Sequence, residues 1–344
     1  MYRGSRGRPR RWWLGAVVAV LAVASIGCGD PASDPARSEA PPNSDVVVLG
    51  PGTPIADGFI VPDDAVLLAP PGPSEGFNGD GPGWLARLRP QDPVSTFTDL
   101  VAQAEAAGFE LGSSTVDPCY AVPDERTIDG QDYPAPFEPL PEGVEPSSID
   151  CAATGYRETG DGIEEITIST EQRLALDPPT SAGLIEVRQL AEGAERRPIG
   201  TGQFDLQPLV DTRVRPASTQ VAMDPPDLDV GAPLNSMTGL GGPTLAAGSR
   251  LAAPINQPIC QGGFLAALDI TGDPDEVFAT YVEQIRDAAA DYGSPPEVTS
   301  TTLFGRSVDQ AQATIDDASS IMRATMITGD DNEPTRLLLE QCNG

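Results

Sequence analysis

The chain has 344 residues, a formal net charge of −30, no histidine and only 5% aromatic residues. So acidic a surface repels phosphate backbones and anionic headgroups, which argues against nucleic acid as a partner. Every positive side chain is an arginine; without His or Lys there is no Ser-His-Asp or Cys-His machinery, no histidine-ligated zinc, no Schiff base and no Walker-type lysine.

The first elements concern export. Residues 1–13, MYRGSRGRPRRWW, carry five arginines and no acid, and LGAVVAVLAVASIG then runs uncharged to residue 27. That run is short of the roughly 20 apolar residues a membrane-spanning helix needs. A basic stretch followed by a short apolar one reads as an export signal. Arg10-Arg11 reads as n-region charge, and it also resembles a twin-arginine export motif. Two cleavage points compete, one after Ala24 and one before Cys28. Ser25-Ile26-Gly27-Cys28 resembles the lipobox of bacterial lipoproteins, with Ser25 where Leu is usual. The resemblance covers only the first 28 residues. It implies that Cys28 carries a diacylglycerol and that the signal, residues 1–27, is removed, leaving a mature charge near −35 once five arginines are gone. It further implies a protein anchored by lipid to the outer face of the cell membrane.

Cysteine count supports the same choice. Besides Cys28 there are Cys119, Cys151, Cys260 and Cys342. In an oxidising compartment an even set pairs and Cys28 is the surplus. We expect Cys119–Cys151 and Cys260–Cys342, and no redox pair, because a CxxC spacing is absent. Residues 28–58 open with Pro, Ser, Ala and acid and read as a disordered tether.

Two segments then resemble each other. Gly83-Trp84-Leu85-Ala86-Arg87-Leu88 matches Gly263-Phe264-Leu265-Ala266-Ala267-Leu268, and Asp92-Pro93, Phe97, Val101 and Gln103 recur as Asp273-Pro274, Phe278, Val282 and Gln284. Internal duplication follows as an expectation. In each copy an alternating strand leads to an Asp-Pro helix start, where the carboxylate caps and proline loses no needed N–H. Apolar stripes Val94, Phe97, Val101, Ala104 and Phe278, Tyr281, Val282, Ile285 continue each helix. Further strands are expected around Ile166, Ile168, Leu174 and Leu176, in SAGLIEVRQL, and in SIMRATMIT and TRLLLEQC about a GDDNEP hairpin loop. The expected fold class is α+β, in two similar units of β-α-β-β-β type, each a helix on a mostly antiparallel sheet. Unit one spans 59–195, a linker spans 196–240, and unit two spans 241–344.

The remaining chemistry is thin. The disulfide-closed loop 117–151 has no counterpart in the second unit, and long loops are frequent binding elements. Tyr133 and Phe137 are its candidate contact residues. Acidic turns such as FNGDGPG, DGQD and GDDNE lack the EF-hand pattern, so no metal ligand set is assigned and no cofactor is expected. The expectation is a non-enzymatic binding or assembly component of the cell envelope, meeting an envelope protein or the cell wall. A carboxylate-dependent hydrolase and a calcium-dependent adhesion module are the alternatives.

Overall fold

Alternating apolar and polar residues turn most of the chain into antiparallel strands. The fold is that of a computed structural model, which describes residues 49–74, 82–112, 118–123, 127–128, 131–132, 146–174, 179–191, 196, 221, 223–234, 242–256, 263–290, 295–315, 320–329 and 333–343. In chain order the elements are β1 Ala65–Leu67, β2 Gly72–Pro73, β3 Gly83–Pro90, α1 Pro93–Ala106, β4 Glu110–Gly112, β5 Cys119–Pro123, β6 Thr127–Ile128, β7 Gln131–Asp132, β8 Pro146–Thr159, β9 Gly162–Arg173 and β10 Thr180–Gln189. Then come β11 Ser249–Leu251, β12 Phe264–Ile270, α2 Pro274–Ala289, β13 Glu297–Leu303, β14 Arg306–Ile315, β15 Ser320–Ile327 and β16 Arg336–Asn343.

The first large sheet runs β1-β3-β10-β9-β8-β4, with β2 added to β3 and β5 to β8; the second runs β11-β12-β16-β15-β14-β13. Within both, each neighbouring pair is antiparallel. The two orders are the same: a short edge strand, the strand before the helix, the last strand, and then backwards through the intervening ones.

Each helix begins as its sequence dictates. Asp92 accepts from the Val94 and Ser95 amides at 3.0 and 3.1 Å, and Asp273 accepts from Asp275 and Glu276 at 3.0 and 3.2 Å. Pro93 and Pro274 open the first turns. Phe97, Leu100, Val101 and Ala104 of α1 bury against Ile166, Ile168 and Ile185. Each such large side chain contributes about 1.5–3 kcal/mol by leaving water. At the far end of α1, Arg157 donates to the Ala107 carbonyl at 3.1 Å and lies 4.4 Å from the Phe109 ring centre, so a cation meets the negative end of the helix. Phe278, Tyr281, Val282 and Ile285 of α2 join Phe264, Leu268, Leu337 and Leu339 in a second core.

A short arm links the two sheets. After β1 the Leu68 N–H still donates to the Arg87 carbonyl of β3 at 2.9 Å, three residues then leave β3 before the chain returns as β2, and Leu68 of this arm packs with Ala253, Leu265 and Ala267. Ala69 packs with Val308 and Ile327. The Arg336 guanidinium donates to the Leu68 carbonyl at 2.7 Å.

The expected fold class is corrected here. Among the described residues sixteen strands stand against two helices, and the chain is a mostly antiparallel β structure rather than a balanced α+β pair of units. Residues Asp45–Gly344 form one compact body. The physical reason is twofold. The stretch 117–151, read as a loop, holds β5, β6, β7 and the start of β8, and EVTSTTLFGRSVDQAQATI folds into β13 and β14 about a tight turn. Each helix covers one face of its sheet only, while the other face takes contacts from the other sheet's residues, so strand packing dominates. Within 28–58, the stretch assigned to the tether, Leu49 and Ile55 are buried in the first core. Leu234, placed in the linker, is buried in the second core.

Candidate functional site

In a strand, successive side chains face opposite ways. In β8, β9 and β10 the parity of Ile149, Ile168 and Ile185 faces α1, and the other parity carries Asp150, Glu165, Glu171 and Arg188. On an isolated sheet these polar residues would be solvated. Here most are buried, and burial of charge requires partners.

Each buried acid among the described residues, and the half-buried Glu340, has an arginine. Arg188 gives Nε and Nη2 to one Glu165 oxygen at 2.7 and 2.5 Å, and the Tyr156 hydroxyl donates to the other at 3.0 Å. Asp269 sits 2.5 Å from Arg336 Nε and 3.5 Å from Arg250 Nε. Burial lowers the Arg336 pKa, with Asp269 opposing that shift. Glu340 of β16 is reached by Arg87 of β3 at 2.9 Å and by Arg323 of β15 at 3.2 Å, a tie between the two sheets. Arg89, 0% exposed, donates to the Pro254 carbonyl at 3.0 Å and to the Asn256 side chain. Desolvation brings its pKa down to about 10, which still leaves it charged at neutral pH.

One acid differs. Glu171 is 5% exposed and faces Asp150 across the β8–β9 ladder. Arg173, two residues along the same strand, forms an ion pair with it. Loss of solvation and then the Asp150 charge push the Glu171 carboxyl up to about 7, against the pull of Arg173. This group exchanges a proton near neutrality, and of the paired carboxylates in the described residues it has the chemistry closest to a general acid. Its neighbour Asp150 immediately precedes Cys151, which is bonded to Cys119 across the β5–β8 pairing with a Cα–Cα distance of 4.0 Å. The acid pair and the disulfide therefore mark one end of the first sheet.

The other residues singled out from sequence fare differently. Cys28, Cys260, Tyr133 and Phe137 lie outside the described residues. Cys342 stands in β16, where its backbone pairs with Ile321. The structure brings Cys119 and Cys151 together and adds Asp150 and Glu171, which sequence reasoning missed. In IEEITISTEQR the Glu171 parity is that of Glu165, Thr167 and Ser169, the signature of a wet face. Nothing local distinguishes it from 50 other acids. Among the described residues no group of three or more His, Cys, Asp or Glu is placed to hold a metal ion.

Comparison with known proteins identifies no family. No family model matches the chain. No curated protein matches it either. Among solved structures, an erythromycin dehydratase aligns over 86% of this chain and 98% of its own at 13% identity, with a TM-score of 0.17. A putative thioesterase II from Thermobifida fusca YX aligns over 75% and 92% at 9% identity, TM-score 0.15. An acyl-CoA thioesterase II from Mycobacterium marinum aligns over 75% and 93% at 8% identity, TM-score 0.13. Scores this low carry no argument about the fold or the activity of this chain.

Proposed function

We propose that this chain is a lipid-anchored lipoprotein of the outer face of the cell membrane, acting as a non-enzymatic binding or assembly component of the envelope. The observation that carries the reading is the Cys119–Cys151 bridge. A disulfide between neighbouring strands persists in an oxidising compartment. With it, the basic and apolar start of the chain reads as an export signal and Cys28 as the acylation point. Two acyl chains meet the two-signal requirement for stable anchoring. The non-enzymatic part rests on the arginine pairing of Glu165, Asp269 and Glu340, which commits those carboxylates to structure.

Mass spectrometry of the N-terminal peptide, purified from native membranes, tests the anchor. The expected product starts at Cys28 with a diacylglyceryl thioether. An unmodified product starting at Ser25 would overturn the assignment.

A second reading, the carboxylate-dependent hydrolase, has one observation in its favour: the Asp150–Glu171 pair with its raised carboxyl. It requires turnover of a glycoside or ester that Glu171→Gln and Asp150→Asn each abolish while the fold survives. A panel of such substrates showing no Glu171-dependent turnover removes that reading.

A further inference from the structure

The second sheet ends in a strand whose protection is confined to its start, where Pro295 and Pro296 precede Glu297. β13 is seven residues long and pairs with β14 in unbroken register from Glu297↔Gln312 to Leu303↔Arg306. Among the described residues nothing pairs with its other side. Sheet edges are normally blunted by charge, proline, bulges or shortness. From Val298 to Leu303 there is no charge, no proline and no bulge, in a chain with 51 acids. Val298 is 52% exposed, and Phe304 at the hairpin tip is 53% exposed. The corresponding edge of the first sheet is built differently, from two short strands, one of them bonded through Cys119–Cys151.

The hairpin geometry fixes which amides face outward. Phe304 and Gly305 have φ of +51° and +80°, the two left-handed positions of a type I′ two-residue turn. Such a turn is closed by a hydrogen-bonded pair, here Leu303 and Arg306. Alternation then turns the N–H and C=O of Val298, Ser300 and Thr302 away from β14. The Ser307 carbonyl, opposite Thr302, accepts from the Thr328 amide on the β15 side, which agrees with this alternation.

We propose that β13 is the docking edge for a second copy of this chain, paired antiparallel about Ser300 to make one continuous sheet across two molecules. The register is self-complementary. Ser300 faces Ser300 of the second copy, Val298 faces Thr302 in both directions, and each pair exchanges two backbone hydrogen bonds. On the other face Thr299 meets Thr301 and Glu297 meets Leu303. No like charges stand opposite each other, the arrangement that disfavours pairing. The Ser300 hydroxyl donates to Asp309 of the adjacent β14 at 2.5 Å, which holds that carboxylate within its own copy. The net charge of the two bodies is screened beyond a Debye length of about 8 Å at physiological salt. A strand pair buries less than the roughly 1,200 Å² of a stable complex, so the contact is weak in dilute solution and calls for trapping.

Ser300→Cys and Phe304→Cys, each in the full-length protein, make the test under mild oxidation. Ser300→Cys is expected to give a disulfide homodimer of doubled mass on a non-reducing gel, about tenfold above Phe304→Cys, because only the first pair is held at high effective concentration. Phe304 is as exposed as Val298, but in this register lies far from its own copy. Adding Thr302→Pro to Ser300→Cys removes an outward amide and is expected to abolish the dimer with the circular dichroism spectrum unchanged. Equal yields at 300 and 304, no homodimer at 300, or a Ser300→Cys adduct with a different protein would each overturn the proposal.

Discussion

Asp150 and Glu171 stand directly opposite one another on β8 and β9, on the face that α1 does not cover, and the second of them is buried. Arg173 forms an ion pair with Glu171, and the Asp150 charge acts against it from the neighbouring strand. The proton on Glu171 relieves both the desolvation and the repulsion.

That relationship gives stability a pH dependence of defined sign. The folded pKa of Glu171, about 7, is above that of an unfolded glutamate, about 4.3, so the folded state holds the extra proton between these values. Stability therefore falls as pH rises from about 4.5 to 7, by an amount on the order of 3 kcal/mol from this group. Glu171→Gln keeps the neutral shape. It is expected to melt higher than the wild type at pH 8 and close to it at pH 5, with thermal unfolding followed at both values.

Arg89 is a second point of leverage. It is buried in β3 and reaches the Pro254 carbonyl and Asn256, more than 160 residues away in the chain. Arg89→Met leaves those two neutral acceptors without their donor and is expected to cost about 2–4 kcal/mol. Arg87→Met, whose partner Glu340 keeps Arg323, should cost clearly less. Chemical denaturation of the two variants gives the comparison.

The Cys119–Cys151 bridge closes a separation of 32 residues. In the chain-entropy model a loop of this size is worth about 3–4 kcal/mol. The double variant Cys119→Ala/Cys151→Ala should lose that amount in urea unfolding. Non-reducing peptide mapping of the native protein should return 119–151 together with 260–342, the pairing proposed from sequence; a 119–260 link would contradict it.

Asp92 and Asp273 make the same two backbone contacts at the start of their helices. Replacing either by Ala is expected to cost about 1 kcal/mol. Because the sites share no partner, the double variant should show the sum to within about 0.5 kcal/mol. Equal costs would accord with the proposed duplication; a negligible cost at one helix would show that its packing, rather than its cap, fixes where it starts.

Local signals were enough for much of this. Asp-Pro followed by an apolar stripe determined both helices, because the cap, the proline and the 3.6-residue period all lie within one short window. The alternation in GWLARLRP and FLAALDI determined the strands before them, and Cys119 and Cys151 were sufficient for one bridge. Balance between helix and strand was misjudged where the signal was weak. The Phe304-Gly305 turn carries a bulky residue where Asn or Asp is usual, so the hairpin of β13 and β14 has no strong local turn signal. What only the tertiary structure decided is which polar face becomes dry. Glu165, Glu171, Arg89 and Arg188 alternate as exposed residues do, and their burial depends on contacts made across the whole chain. A strand's pattern states which side chains lie together; only packing against distant segments removes their water, and it is the lost water that sets the charge on Glu171 and the need for each arginine.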